Sequence, residues 1–260
     1  MNLKQKAPQC GAFLLLWLVC TMAGVASASC DPFTGGEELE VAHVYDGDTL
    51  KLADGRNIRL IGINTPEMGR DGNIDEAGAQ QALDRLESLV LASDQRVHLM
   101  VGEQQTDRYG RQLAHLYGRG GNNITELLLR EGLGYVIAFP PNLRNLACYE
   151  AAESMARKAR RGLWRSESVP LDVQQLSTQE DGFRLIRGRV GRIGKSRRSL
   201  WLNLEQGPAL RIDLRDWQAF PDLEPDALAG RRLEVRGWLY HRKGQQRMQV
   251  RHPSAIQWLD

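Results

Sequence analysis

The stretch LEVAHVYDGDTLKLADGRNIRLIGI, residues 39–63, decides the fold. Residues 39–44 alternate apolar and polar side chains with the period of two that a half-buried strand requires, and Thr49-Leu50-Lys51-Leu52 does the same. Asp54-Gly55 is a hairpin-turn pair, and residues 57–61 form the returning strand. Outward from this meander, residues 76–91 carry Ala79, Ala82, Leu83, Leu86, Leu89 and Val90 at helical spacing. Residues 97–101 and 112–117 read as strands, and 124–130 as a short helix ended by Gly132 and Gly134. An extended run at 135–139 stops at Pro140-Pro141, and a longer helix over 143–161 stops at Gly162. This order predicts an α+β domain, a small OB-type β-barrel packed with helices.

Residues 166–181 are polar and read as a linker. Beyond them the pattern is nearly all strand: 183–190, 199–204, 209–214, 231–240 and 247–250, with a short helix expected over 217–228. Five strands with a helix between the third and fourth predict a second, mainly β, OB-like barrel. The expected organisation is a signal peptide over 1–28, a first domain over 29–165, a linker over 166–181 and a basic β domain over 182–260.

The signal peptide is read from Lys4 and Lys6, an apolar run over 12–25 and the small-x-small site Ala26-Ser27-Ala28. The run is shorter than the ~20 apolar residues that a spanning helix needs. The mature chain is therefore expected to be exported, periplasmic or secreted, with no membrane partner. Removal of the signal takes Cys10 and Cys20 and leaves Cys30 and Cys148, an even pair that an oxidising compartment would join. Such a long closed loop is worth roughly 4–5 kcal/mol in the chain-entropy model. Lipidation of Cys30 is the alternative, disfavoured because Ser27-Ala28-Ser29 lacks the usual apolar residue.

A charged fraction of 25% and an apolar fraction of 42% exclude a disordered chain. Charge is divided along the sequence. Residues 182–260 hold 16 Lys/Arg against 8 Asp/Glu, whereas 29–181 hold 16 against 24. An acidic front and a basic back suggest a division of labour, or simply halves that dock. In the basic part, Phe183, Trp201, Trp217, Trp238 and Tyr240 accompany a basic loop over 192–198. Two interpretations stay open. The aromatics and arginines form a single-strand binding surface, or Trp201 and Trp238 belong to the core and the loop is merely solvated.

The chemistry lies in two segments. Asp46-Gly47-Asp48-Thr49 sets two carboxylates at a strand end, where they can converge on a hard cation, and Arg59 on the returning strand can lie beside them. Asn64-Thr65-Pro66-Glu67 follows, with Pro66 fixing the backbone that aims Glu67. The second segment is Asp107-Arg108-Tyr109-Gly110-Arg111, where alternation would put Tyr109 and Arg111 on one side of a strand. A guanidinium fork matches phosphate oxygens. Taken singly, each motif also fits turn chemistry or a surface arginine. The five histidines show no ligand spacing.

Together the two segments resemble those of the staphylococcal nuclease family, from about Val41 to Trp164 and including Gly162-Leu163-Trp164. The resemblance implies an OB barrel and cleavage of DNA and RNA that depends on a divalent metal, calcium, and leaves 3′-phosphates. By position it implies that Asp48 and Asn64 hold the metal together with the backbone carbonyl of Thr65, with Asp46 behind them. It implies that Glu67 handles the attacking water, that Arg59 and Arg111 clamp the phosphate, and that Tyr109 and Phe139 contact the substrate. One departure matters. The family's second metal-binding aspartate falls on Asn64, which keeps an amide oxygen and loses a charge, so weaker calcium binding is expected. The rival expectation is a nucleic-acid-binding protein with a weak or silent site.

Overall fold

The computed structural model describes residues 30–31, 33, 35–69, 72–221 and 223–260. The expected signal peptide lies outside the described residues. No helix among the described residues is long and apolar enough to cross a membrane.

The meander is present as β1 (Glu37–Asp46), β2 (Thr49–Leu52) and β3 (Asn57–Leu60). Register shifts in β1 at Val41/His43 and Val44/Asp46 break the strict alternation. The first shift slips the buried parity, so that Val41 and Val44, three residues apart, are both buried; Asp46 is buried two residues further on, opposite Thr49. There follow β4 (Ile63–Asn64), α1 (Ala79–Leu91), β5 (Arg96–Thr106), β6 (Gln112–Tyr117), α2 (Ile124–Glu131), β7 (Tyr135–Val136) and α3 (Leu146–Lys158). Helix α1 buries Ala79, Ala82, Leu86 and Val90, one stripe at spacings of three and four. Asn123 caps α2 by accepting from the Glu126 amide. Strands β1-β2-β3-β6-β5 close into a barrel in which β3 and β6 run parallel.

The second barrel follows the same plan. After β8 (Leu171–Asp172) come β9 (Gly182–Lys195), β10 (Ser199–Leu204), β11 (Ala209–Asp213), β12 (Arg232–Arg242), β13 (Gln245–Val250) and β14 (Ile256–Trp258). The order β9-β10-β11-β13-β12 closes through the β12–β9 pairing, and β11 and β13 run parallel. Both barrels thus have the OB strand order, and each surrounds its own apolar core.

Three local expectations are corrected. No α-helix forms over 217–228; two 3₁₀ turns, Leu214–Ala219 and Pro225–Ala227, take its place. Pro221 and Pro225 lack the amide hydrogens that a continuous helix would need there. Most of the basic loop is strand, because Arg192 to Lys195 extend β9 and only residues 196–198 turn. The stretch 166–181 is not a bare connector: β8 pairs with β9, and Val173 enters the second core.

The barrels are locked together. Arg157 of α3 donates twice to Glu234 of β12, each bond 2.6 Å, and Arg187 of β9 reaches the same carboxylate at 3.2 Å. Arg236 grips Glu153 at 2.7 and 2.8 Å. Tyr135 stacks on Phe183, and Phe183 meets Trp238 edge to face. Cys30 and Cys148 form the expected disulfide, which ties the N-terminal end of the described chain to α3.

Candidate active site

The site forms where the β1–β2 turn, the β3–β4 connection and the segment before β6 meet. Asp46 ends β1 and its carboxylate accepts the Asp48 amide at 3.0 Å, folding the turn back on itself. Gly47 at the apex has no room for a side chain. A Cβ there would lie 2.5 Å from the Ala82 methyl of α1 and 2.8 Å from Thr65 Cγ2. Asp48 is buried, and its Oδ2 accepts the Thr65 amide at 2.8 Å and faces the Arg59 guanidinium at 3.0 Å. Its Oδ1 takes the Thr49 hydroxyl at 3.0 Å.

Arg59 pairs in register with Thr49 and is only 7% exposed. Its Nη1 donates to the Leu60 and Ile63 carbonyls, each at 2.8 Å, and its Nη2 to Asn64 Oδ1 at 3.2 Å. Among the described residues its Nε makes no hydrogen bond. The turn that allows this wrapping contains Gly62 at φ +87, where a Cβ would strike the Tyr149 ring. Asn64 is oriented by its neighbours. A guanidinium only donates, so the amide oxygen must face Arg59, and Nδ2 then donates to the Thr65 carbonyl at 3.3 Å.

Glu67 stands on the rim. It exchanges hydrogen bonds with Glu76, its amide donating to the Glu76 carboxylate and its carbonyl accepting the Glu76 amide, both 3.0 Å. This pair closes the loop between β4 and α1. An open hollow of roughly 360 Å³ is lined by Asp46, Glu67, Glu76 and Arg111, with Met68, Gly69, Asn73 and Ile74. Arg111 enters it from the residue before β6. Its Nε donates to Asp107 at 2.8 Å and its Nη1 to the Thr49 hydroxyl at 3.2 Å, which leaves Nη2 without a partner among the described residues.

The electrostatics follow from the crowding. Burial, then the charge of Asp48, push Asp46 up to about 7. Enclosure by the walls of the hollow, then Asp48, raise Glu67 as well. Burial alone would raise Asp107, but hydrogen bonds from the Arg111 side chain and from two backbone amides outweigh it and lower its pKa. Two carboxylates held together in a buried mouth, beside a backbone carbonyl, make a donor set that suits a hard cation.

The structure brings together Asp46, Asp48, Arg59, Asn64, Thr65, Glu67 and Arg111. Tyr109 is a neighbour, its ring 5.5 Å from the Arg111 guanidinium, but the two do not share a strand face. Residues 107–110 form a turn in which Asp107 accepts the amides of Tyr109 and Arg111, and β6 begins only at Gln112. Phe139 does not line the hollow. It lies at the seam between the barrels, 5.6 Å from the Trp238 ring. From the sequence, Asp107 stands in the second segment without a role of its own, and Glu76 is only the start of a helix. Asp107 carries a faint signal, its spacing of four from Arg111 across Gly110; Glu76 carries none.

An OB barrel whose mouth holds paired buried aspartates, flanked by two arginines and a rim glutamate, defines a class of protein in which opposite charges converge on one opening. Comparison with known proteins narrows that class. Residues 57–166 match the family model described as staphylococcal nuclease homologue. Over 131 residues the chain is 32% identical to the thermonuclease of Staphylococcus hyicus, covering 49% of this chain and 76% of that protein. It is 31% identical over 134 residues to an uncharacterized endonuclease of Escherichia coli O157:H7, covering 50% and 78% respectively. It is 32% identical over 136 residues to the micrococcal nuclease of Shigella flexneri, covering 48% and 72%. The chain belongs to the staphylococcal nuclease family.

Proposed function

We propose that the protein is an exported nuclease that hydrolyses phosphodiester bonds of DNA and RNA with a divalent cation, calcium, and leaves 3′-phosphates. The observation that carries this reading is the convergence of Asp48, Arg59, Glu67 and Arg111 on one mouth from three separate segments. Arg111, with Nη2 to spare, binds the scissile phosphate and stabilises charge as it develops on the phosphoryl oxygens. Arg59 is already bound by four acceptors, so it supplies fixed positive charge from behind, with Nε remaining for the substrate. Glu67, whose pKa is raised toward the working range, orients the attacking water and takes its proton. Asp48, the Thr65 carbonyl and Asn64 would hold the cation, with Asp46 supporting Asp48. A bound divalent cation would supply counter-charge to the phosphate and acidify water within its reach. Tyr109 contacts substrate at the outer edge.

The mature protein begins after Ala28, with a nuclease domain to residue 165, a connecting stretch over 166–181 that packs on the second barrel and a second domain from 182, and works where the Cys30–Cys148 disulfide persists. A second reading, a nucleic-acid binder with a weak site, is favoured by Asn64, whose oxygen faces Arg59. Incubation of purified protein with plasmid and with RNA separates the two. The nuclease reading expects degradation that chelator abolishes and added calcium restores. Intact nucleic acid under all conditions would leave only the binder.

A further inference from the structure

The second barrel turns one row of side chains outward. In β10 the residues Leu200, Leu202 and Leu204 fill the core, so Trp201 and Asn203 face out. In β11 Leu210 and Ile212 face in and Arg211 faces out; in β13 Met248 and Val250 face in, and Arg247 and Gln249 face out. Register places Trp201 opposite Arg211, and Arg211 opposite Gln249. Neighbouring strands lie about 4.8 Å apart, so these three span about 10 Å across the barrel. The Arg247 and Arg211 guanidiniums sit 4.8 and 5.9 Å from the Trp201 ring centre.

The row does not stop at Gln249. That residue also lines a small hollow at the seam with Trp238, Phe139 and Arg251. Phe139 and Trp238 are each 38% exposed, 5.6 Å apart, and Arg251 lies 5.6 Å over Phe139. Both tryptophans are therefore surface residues. The charge is available too. Arg247 hydrogen-bonds only the neutral Gln245 among the described residues, whereas Arg211 is steadied by Asp213 and Ser199. Arg192 pairs with the outward Asn203, and Lys195, Arg197 and Arg198 are exposed at the neighbouring β9–β10 turn.

We propose that this row is a track for single-stranded nucleic acid, running from Trp201 across Arg211 and Gln249 to the Phe139–Trp238 seam. Aromatic faces interleaved with guanidiniums suit unstacked bases on a phosphate chain. A guanidinium plane stacks on bases as a ring does, so Arg247 over Trp201 extends the platform and does not block it. A duplex, with its bases stacked inside, gains little from these rings. An acidic protein would use the arginines and leave the rings unused. The proposal takes the identity of the polymer from the nuclease reading, but it concerns binding and needs no cleavage.

The test uses the full mature chain in chelator, with a labelled oligothymidine, a duplex of equal length and polyglutamate as competitor. Wild-type protein is expected to bind the single strand more tightly than the duplex. Trp201→Ala should weaken binding about tenfold and Trp201→Phe should recover most of it. Arg247→Gln should lower the slope of log affinity against log salt by about one. Trp201→Ala and Arg247→Gln both binding within twofold of wild type, a preference for duplex, or equal competition by polyglutamate per charge would each overturn the proposal. If wild type fails to cleave yet the row variants lose binding, the nuclease reading falls and the track stands. Cleavage by wild type with unchanged binding in the variants has the opposite meaning.

Discussion

The two barrels share a strand order and put their arginines to opposite use. In the first, Arg59 on the third strand points into the mouth, nearly sealed from solvent and tied to Asp48. In the second, Arg211 on the third strand points outward beside Trp201. The first barrel's opening turn carries two buried aspartates, whereas the second's, at residues 196–198, carries a serine and two exposed arginines. One scaffold thus makes a concave reactive site or a convex adhesive face. Both arginines alternate away from their cores, Arg59 between Ile58 and Leu60 and Arg211 between Leu210 and Ile212, so the choice rests on whether other segments fold over that outer side and bury the charge with its acid.

The sharpest way to break this contrast is to disable the concave site alone. Glu67→Gln should lower the cleavage rate by about 10²–10⁴-fold, read from release of acid-soluble nucleotides, with single-strand binding retained. A rate within threefold of wild type would remove Glu67 from the chemistry. Next in size is the joint between the barrels. Arg236→Ala leaves Glu153 buried without its partner and should cost about 3 kcal/mol, splitting one calorimetric transition into two. A single, unshifted transition would mean that the halves do not depend on that pair.

Acid should distinguish the barrels as well. Burial pushes His115 down to about 4, within hydrogen-bond distance of the Tyr149 hydroxyl. The unfolded chain protonates this residue near 6.5. Above that pH both states are neutral and nothing is lost. Between about 6.5 and 4 only the unfolded state takes the proton, so stability falls with pH by up to about 3 kcal/mol. The raised carboxyl groups of Asp46 and Glu67 pull the other way in the same barrel, so the test is a difference: in urea titrations across this window, His115→Gln should remove the His115 contribution from the slope of stability against pH, and a slope equal to that of wild type would locate the acid sensitivity elsewhere. The smallest effect concerns Asn64→Asp. It adds a carboxylate and removes the amide donor at the Thr65 carbonyl, so calcium affinity by calorimetric titration should tighten about tenfold, near 1.4 kcal/mol. Equal affinities would mean that residue 64 does not limit cation binding.

Both barrels were legible in the sequence because strands such as β10 and β13 carry their burial in their own alternation and turn residues mark their ends. The first of the two motif segments reads as one unit for a related reason: Asp46 to Thr49 and Arg59 to Glu67 lie on adjacent strands of one meander. What stayed hidden depends on partners distant in the chain. The first shift in β1, which moves burial to the parity that Val44 and Asp46 share, leaves no mark on the local pattern. The orientation of the Asn64 amide follows from Arg59, and the position of Phe139 from Trp238, ninety-nine residues later. Glu76 joins the rim only because its amide and carboxylate close a loop with Glu67. The 3₁₀ turns near Pro221 and Pro225 were readable from proline chemistry and were obscured by the apolar residues around them.

Gly47 leaves α1 as the gauge block of the acidic turn. The Ala82 methyl is the stop against which that turn rests, so the gap between Asp46 and Asp48 is machined by a helix residue that never meets a ligand. Enlarging Ala82 to valine would look on paper like a routine packing change. Its true effect would be to jack up the turn and detune a pair of charges, and a loss of cation affinity that outruns the loss of melting temperature would be its signature.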